Sequence, residues 1–392
     1  MRVTRGRWTL HAAAWIAGIA AFRIVLTPAE VCPPAGTDEL DDAITAAATW
    51  AVTNQEDGGR FTYGYDRDGD EVNDGYNLVR HAGMVNALYQ LAAEGDDRWL
   101  EGADAGVAYL LDLVVETGDG AVAITWPDVD AKIGTAALTI AALHHREQAL
   151  GDGRHDELMR QLGRFLVGQI EPPGTILGFW SPVTGAPVPG AYAKFGTGEA
   201  FWALALLASD FPGVGWDDAA RSIGRYIATE RRQAEDQWLR QPDHWAAYGF
   251  AELGVSSPEE LEYLRLLAGD FGVMTRFEST RQGSGPGAWL RGPDALGAGV
   301  GALGEGLGSL WRLAADEPGL ADLRDDLDER LTCVAGLLVE RQAGADDAAD
   351  SPRPELVEGA WFRQGATLVD DQQHSVSALL MAREAADGRA DG

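Results

Sequence analysis

Residues 74–91, "DGYNLVRHAGMVNALYQL", decide the fold. From Ala82 onward the stretch is small and apolar almost all round. That pattern suits a helix buried on every side, not a surface helix with one apolar stripe. Yet the turn that enters it carries Asp74, Tyr76, Asn77, Arg80 and His81. A buried helix with a polar mouth implies that the mouth opens onto something.

The same arrangement recurs along the chain. Charge-poor, Gly- and Ala-rich helices are predicted from His81, Gly134, Gly196, His244, about Leu296 and His374. Amphipathic, charged helices are predicted between them, over 39–55, 98–116, 156–170, 217–232, 258–277 and 320–342. Strand signals are confined to short pieces such as "AVAITW" (121–126). Six buried helices alternating with six half-wet ones predict an all-α fold, an (α/α)6 toroid with an inner ring walled by an outer ring. An open solenoid would need polar capping repeats at its ends, whereas here the first outer helix can close against the last inner one. The expected organisation is a leader or anchor over 1–36, the toroid over 37–386 and a disordered tail over 387–392.

Links from an inner helix to its outer partner are short, such as "EGDD" and "GVSS". Links from an outer helix to the next inner one are long: 56–80, 117–133, 171–195, 233–243, 278–295 and 343–373. In a ring of hairpins every long link falls on one rim, and long loops on a rigid scaffold are where function tends to sit. That rim collects the candidate residues. His81, His244 and His374 are proton-transfer candidates, because imidazole titrates near neutrality. Glu199 and Asp371 are a candidate carboxylate pair, the arrangement a glycoside hydrolase places across the scissile bond. Arg80, Asn77, Tyr76, Asp243, Trp245, Trp180, Trp126 and Gln372 complete a polar and aromatic lining suited to a sugar. Bland readings compete with these: Asp243 and Asp371 are also plausible N-caps, Arg80 could simply pair with Asp74 or Glu199, and a lone inward histidine is usually structural.

Composition narrows the partners. The chain has 61 acidic and 31 basic residues, a net charge of −30, and only two lysines, Lys132 and Lys194. Phosphate backbones need a basic patch, so nucleic acid is not an expected partner. Acid-rich, lysine-poor surfaces suit salt-tolerant proteins, although high-GC codon usage gives the same bias. Arg2, Arg5 and Arg7 precede a mostly apolar run to Leu26, the form of a signal peptide or a single anchor. This predicts export, with membrane contact through residues 8–26 if the segment is uncleaved. A loose N-terminal helix packed on the domain is the alternative. Two cysteines, Cys32 and Cys333, are too few for a disulfide-dense scaffold or a Cys-rich zinc site, and Cys333 reads as a small core residue. Asp66, Asp68 and Asp70 are spaced like a calcium loop, but Glu71 stands where its glycine belongs and Asn77 where its closing glutamate belongs. A solvated acidic loop is expected there. The glycines of "GAGVGALGEGLG" (297–308) follow no strand and precede no lysine, so they read as helix packing. No metal or cofactor is expected.

Six segments together resemble the six-hairpin glycosidase-like proteins of bacteria and archaea. They are "NQEDGGRFTYGYD" (54–66), "NDGYNLVRHAGMVNALYQL" (73–91), "KIGTAALTIAAL" (132–143), "FGTGEAFWALALL" (195–207), "DHWAAYGF" (243–250) and "VDDQQHSVSALL" (369–380). The resemblance spans roughly 40–385 and implies the (α/α)6 toroid and a carbohydrate-type pocket. Epimerases of that superfamily carry Arg, His and Glu on inner helices, which matches Arg80, His81, Glu199, His244 and His374. The resulting expectation is an extracytoplasmic protein performing hydrolysis or another acid/base reaction on a sugar. A non-catalytic glycan-binding or scaffold protein of a cell-surface polymer system is the first alternative. A terpene-cyclase-like enzyme is the second; "QEDGG" echoes that group, but "DVDA" (128–131) lacks the fourth acid of its Asp-x-Asp-Asp motif.

Overall fold

The computed structural model describes residues 3–25, 30–235, 242–281 and 297–390. Among the described residues, an N-terminal helix, α1 (Val3–Val25), precedes twelve longer helices that alternate between two layers. The outer helices are α2 (Thr37–Thr53), α4 (Leu100–Leu111), α6 (Asp156–Val167), α8 (Trp216–Thr229), α10 (Pro258–Ser279) and α12 (Arg324–Arg341). The inner helices are α3 (Leu78–Ala93), α5 (Ile133–Leu150), α7 (Gly196–Asp210), α9 (His244–Leu253), α11 (Gly297–Asp316) and α13 (Val369–Ala390). Each inner helix packs on the next, and α13 packs back on α3, which closes the ring. The first outer helix, α2, lies against α13 as the sequence pattern anticipates, with Arg383 Nη1 2.7 Å from Asp41 Oδ1 across the junction.

Small residues make the inner ring possible. A Cβ on Gly301 would stand 2.4 Å from the His374 carbonyl carbon, and one on Gly249 would stand 2.3 Å from the Phe201 ring. Close approach of neighbouring helices therefore depends on the glycines that the sequence reading assigned to packing, those of 297–308 included.

Short strands decorate the long links. They are β1 (Gly64–Asp66), β2 (Glu71–Val72), β3 (Val114–Gly118), β4 (Ala121–Ile124), β5 (Ala131–Lys132), β6 (Ile170–Glu171), β7 (Thr175–Ile176), β8 (Phe179–Ser181), β9 (Ala186–Pro187) and β10 (Ala366–Leu368). All pair antiparallel, and β10 joins β1 with Gly64 opposite Leu368, so the first and last long links are stitched together beside the ring closure.

Several expectations change. The second outer helix stops at Leu111, and 114–118 form β3 against β4; Val114 and Val115 are β-branched and serve the hairpin better than a helix end. The last inner helix begins at Val369, five residues before His374, and runs to Ala390, past the expected boundary at 386. The calcium-like loop is the β1–β2 turn, where Asp66 Oδ1 accepts hydrogen bonds from the backbone N–H groups of Asp68 and Gly69 at 2.9 and 3.1 Å. Cys333 is buried but not free. It is bonded to Cys32, 301 residues away in sequence. The segment around Cys32 crosses α12 so closely that a Cβ on Gly336 would lie 1.9 Å from the Pro33 carbonyl oxygen. That crossing brings the two thiols together, and no sequence pattern reports it.

In α1, Trp8, Leu10, Trp15, Ile16 and Ile19 are exposed. Among the described residues no helix is long and apolar enough to cross a membrane.

Candidate active site

Inner-helix starts converge on the long-link rim, and their side chains go to different places. Glu199, in the first turn of α7, is buried and leans over the first turn of α5, where a Cβ on Gly134 would come within 2.0 Å of its Oε2. Glycine at 134 is what leaves room for this carboxyl. Burial, reinforced by the charge of Asp243, pushes the Glu199 carboxyl up to about 8, so it carries a proton at neutral pH.

His244 opens α9 and His374 lies in the second turn of α13, with ring centroids 5.0 Å apart. Between them stands Glu305, fully buried in the middle of α11. Its Oε2 lies 2.5 Å from His374 Nδ1 and 3.7 Å from His244 Nε2. Its Oε1 accepts hydrogen bonds from Tyr248 Oη and Gln373 Nε2, each at 3.2 Å. Burial alone would lower the His374 imidazole, but the Glu305 carboxylate, with Asp370 and Asp371, outweighs it and raises it. Among the described residues neither His244 ring nitrogen has a hydrogen-bond partner, and burial followed by the neighbouring His374 pulls it well below the usual histidine range. Burial raises Glu305, opposed by His374. The result is an imidazole and a carboxyl that hold each other, beside a second imidazole pulled well below the usual range. Trp245 packs beside them at a tilt, its ring centroid 4.4 Å from that of His244 and 5.6 Å from that of His374.

His244, Glu305 and His374 also bring their donor atoms within 4.8 Å of one another, the donor set of an open metal site. The direct 2.5 Å bond between His374 and Glu305 is the geometry of a shared proton.

The other candidates divide. His81 belongs elsewhere: its Nε2 bonds the Gly106 carbonyl of α4 at 2.8 Å and its Nδ1 bonds Tyr76 Oη at 2.7 Å. It points outward, and burial pulls it down to about 4, so it is a structural histidine. Tyr76 and Trp126 pack in the same off-axis cluster, with Trp126 Nε1 donating to Tyr109 Oη at 3.3 Å. Asn77 caps α3 through the Val79 N–H at 3.1 Å. Asp243 caps α9 through the Ala246 N–H at 3.1 Å and is ion-paired with the buried Arg231. Asp371 Oδ2 accepts the Leu368 N–H at 2.8 Å, and Gln372 Nε2 donates to Thr367 Oγ1 at 2.7 Å. Asn77, Asp243 and Asp371 hold backbone N–H groups, and Gln372 holds the Thr367 side chain. Arg80 pairs neither with Asp74 nor with Glu199. Its Nε reaches Asp370 at 3.0 Å, its Nη1 donates to Tyr63 Oη, and the side chain stays partly exposed on the rim. Trp180 lies in β8, paired with Ala131 just before α5, and lines a groove with Phe165 of α6 and Trp216 of α8. Trp289, part of 233–243 and most of 278–295 lie outside the described residues.

Glu305 is the residue that sequence reasoning missed. Its signal was present: it is the single charge in "GAGVGALGEGLGSL" (297–310), an element otherwise able to pack on all sides.

A closed ring of six inner and six outer helices, with a polar cluster at the inner-helix starts, defines an (α/α)6 toroid. Solved structures bear this out. A cellobiose 2-epimerase from Spirochaeta thermophila DSM 6192 matches with a TM-score of 0.62 at 15% identity, over 90% of this chain and 97% of that one. A D-mannose isomerase matches at 0.61 and 16%, over 89% and 98%. An inactive variant of an α-1,6-mannanase of Salegentibacter sp. HEL1_6, in complex with α-1,6-mannotriose, matches at 0.59 and 12%, over 89% and 99%. No protein-family model matches the chain, and no curated protein does.

Proposed function

We propose that this protein is a sugar epimerase or isomerase, moving a proton at the carbon beside the carbonyl of a reducing sugar. The observation that carries the reading is the His374–Glu305 pair set against the neutral His244. Such a reaction needs a base to take the proton and an acid to return one, each tuned toward its task. The neutral His244 takes the proton from carbon, and His374, protonated against Glu305, returns one. Glu199, holding its proton, donates to the carbonyl oxygen where negative charge develops. Trp245 offers an aromatic wall, and Arg80 a cation for sugar hydroxyls at the rim.

Retaining or inverting hydrolysis needs two available carboxyl groups. Asp371, the expected partner of Glu199, is engaged with the Leu368 backbone, which weighs toward proton transfer. The epimerase and isomerase among the similar folds support the same choice. A terpene-cyclase-like site would be lined by aromatics with few ionisable groups, unlike this one.

The test is incubation with a panel of reducing aldoses and ketoses in D2O, read by NMR. Deuterium entering at C2, lost in His374→Asn, supports the reading. Release of reducing ends from glycosides without C2 exchange would replace it with hydrolysis. Binding without either would leave a glycan-binding protein.

We further propose that it works outside the cytoplasm, with α1 as an export leader or a surface anchor. The Cys32–Cys333 bond, which persists in oxidising compartments, and the exposed apolar face of α1 support this. Fractionation of the native host, with thiol labelling before and after reduction, checks it; a cytoplasmic, reduced protein would overturn it.

A further inference from the structure

Lys132 and Lys194, the only lysines in the chain, meet at the mouth of the axial site. Lys132 is the residue before α5, and Lys194 stands two before α7. The fold brings their backbones together. The Ile133 N–H donates to the Gly178 carbonyl at 3.1 Å, and a Cβ on Gly178 would stand 2.5 Å from the Ala193 nitrogen. A Cβ on Gly196 would meet Ala193 Cβ at 2.7 Å and Ile133 Cγ1 at 2.9 Å. Residues 133 and 193 are therefore neighbours, and one lysine adjoins each.

Both lysines are exposed, and among the described residues neither forms an ion pair. Lys194 Nζ lies over the Phe195 ring, 4.7 Å from its centroid, and that ring lies 6.4 Å from the His244 ring. Burial raises the Glu199 carboxyl, and Lys132 is among the cations that pull the other way, so its ammonium group lies within electrostatic reach of that buried acid. Two like charges on one rim repel each other unless an anion answers them. The acids at the inner-helix starts do not: Asp243 is committed to Arg231, Asp370 to Arg80 and Asp371 to the Leu368 N–H.

We infer that the two lysines form an anion subsite, so that the sugar this protein takes carries a negative group, the carboxylate of a uronic acid or a phosphate ester. The inference deepens the axial reading and rests on it for the reaction, though not for the binding. An ammonium group is a compact charge with three donors, and its bonds to carboxylate or phosphate oxygens are charge-assisted. A neutral sugar leaves both charges unanswered. The net charge of −30 repels extended polyanions, which favours a small acidic sugar.

The full-length protein is titrated, by ligand-observed NMR, with D-glucuronate, D-galacturonate and D-mannuronate. The neutral parents D-glucose, D-galactose and D-mannose and the 6-phosphates of glucose and mannose complete the panel. At least one acidic sugar should bind more tightly than its neutral parent, and added salt should weaken it alone. Preference for uronates or for phosphates identifies which anion the subsite takes. Lys132→Gln and Lys194→Gln, both at exposed positions that leave folding untouched, should each weaken that sugar about tenfold. The corresponding Lys→Arg changes keep the charge and should restore binding. Acidic sugars that bind no better than their neutral parents, or glutamine variants within about twofold of the unmodified protein, overturn the inference. His374→Asn should abolish C2 exchange and leave acidic-sugar binding intact. Lysine-dependent binding without C2 exchange in the unmodified protein would sink the axial reaction alone, and C2 exchange confined to neutral sugars would sink the anion subsite alone.

Discussion

Replacing Glu199 by glutamine should stabilise the protein, and by an amount that grows with pH. The carboxyl sits at about 8 in the folded chain against 4.5 for the unperturbed group. Between those values the folded state holds a proton that the unfolded state releases, so stability falls as pH rises through the window. At pH 7 the interval above 4.5 is about 2.5 units, or about 3 kcal/mol at about 1.4 kcal/mol per unit. Above pH 8 the cost levels off near 5 kcal/mol. Glutamine is nearly isosteric with the protonated acid and does not titrate, so the variant escapes this cost. The assay is denaturant unfolding followed by tryptophan fluorescence, for parent and Glu199→Gln, at pH 4, 7 and 9. The two should coincide near pH 4, and the variant should lead by about 3 kcal/mol at pH 7. Activity should fall in the same variant, the trade expected where a destabilised group serves function. A pH-independent difference, or a variant less stable than the parent at pH 9, would refute the reasoning.

Three further outcomes follow from the same geometry. Glu305→Gln should cost about 10²–10⁴-fold in turnover. It should also remove a pH dependence of stability: the His374 pair contributes fully below about pH 6.5, and that contribution is lost as pH rises through the raised value, which urea titrations across pH 5–9 would show. His81→Ala should cost about 2–4 kcal/mol of stability, because it strands the Gly106 carbonyl, leaves the Tyr76 hydroxyl with only the Phe61 N–H and opens a cavity, while turnover per folded molecule stays unchanged. Cys32→Ser should lower stability by about 4 kcal/mol, and reductant should do the same to the parent but not to the variant.

The ring was legible because its inner helices are defined by what they lack. Helices such as 134–143 carry no charge on any face, and only burial on all sides explains that. His244, His374 and Glu199 were legible for the complementary reason: a titratable group in such an element is conspicuous. His81 was not separable from them. It adjoins Arg80, and a helix turns about 100° per residue, so one faces along the rim and the other the outer ring. Sequence alone does not say which. Glu305 is less conspicuous because it lies at no helix mouth: it sits eight residues into α11, about 12 Å further down the axis. For Trp180, loop length predicts which rim a link occupies and says nothing of which groove its hairpin lines.

The closure of α13 onto α3 and α2 makes the chain's starting point arbitrary to the fold. A closed ring has six equivalent places where it could be cut. A circular permutant that joins the end of α13 to the start of α2 and opens at the turn before α8, where Gly213 and Gly215 adopt positive φ, would keep every ring contact. In such a chain α13, with His374, would be made in the middle of synthesis rather than at its close. The natural order instead leaves both the ring and its proton-sharing pair incomplete until the last inner helix has emerged.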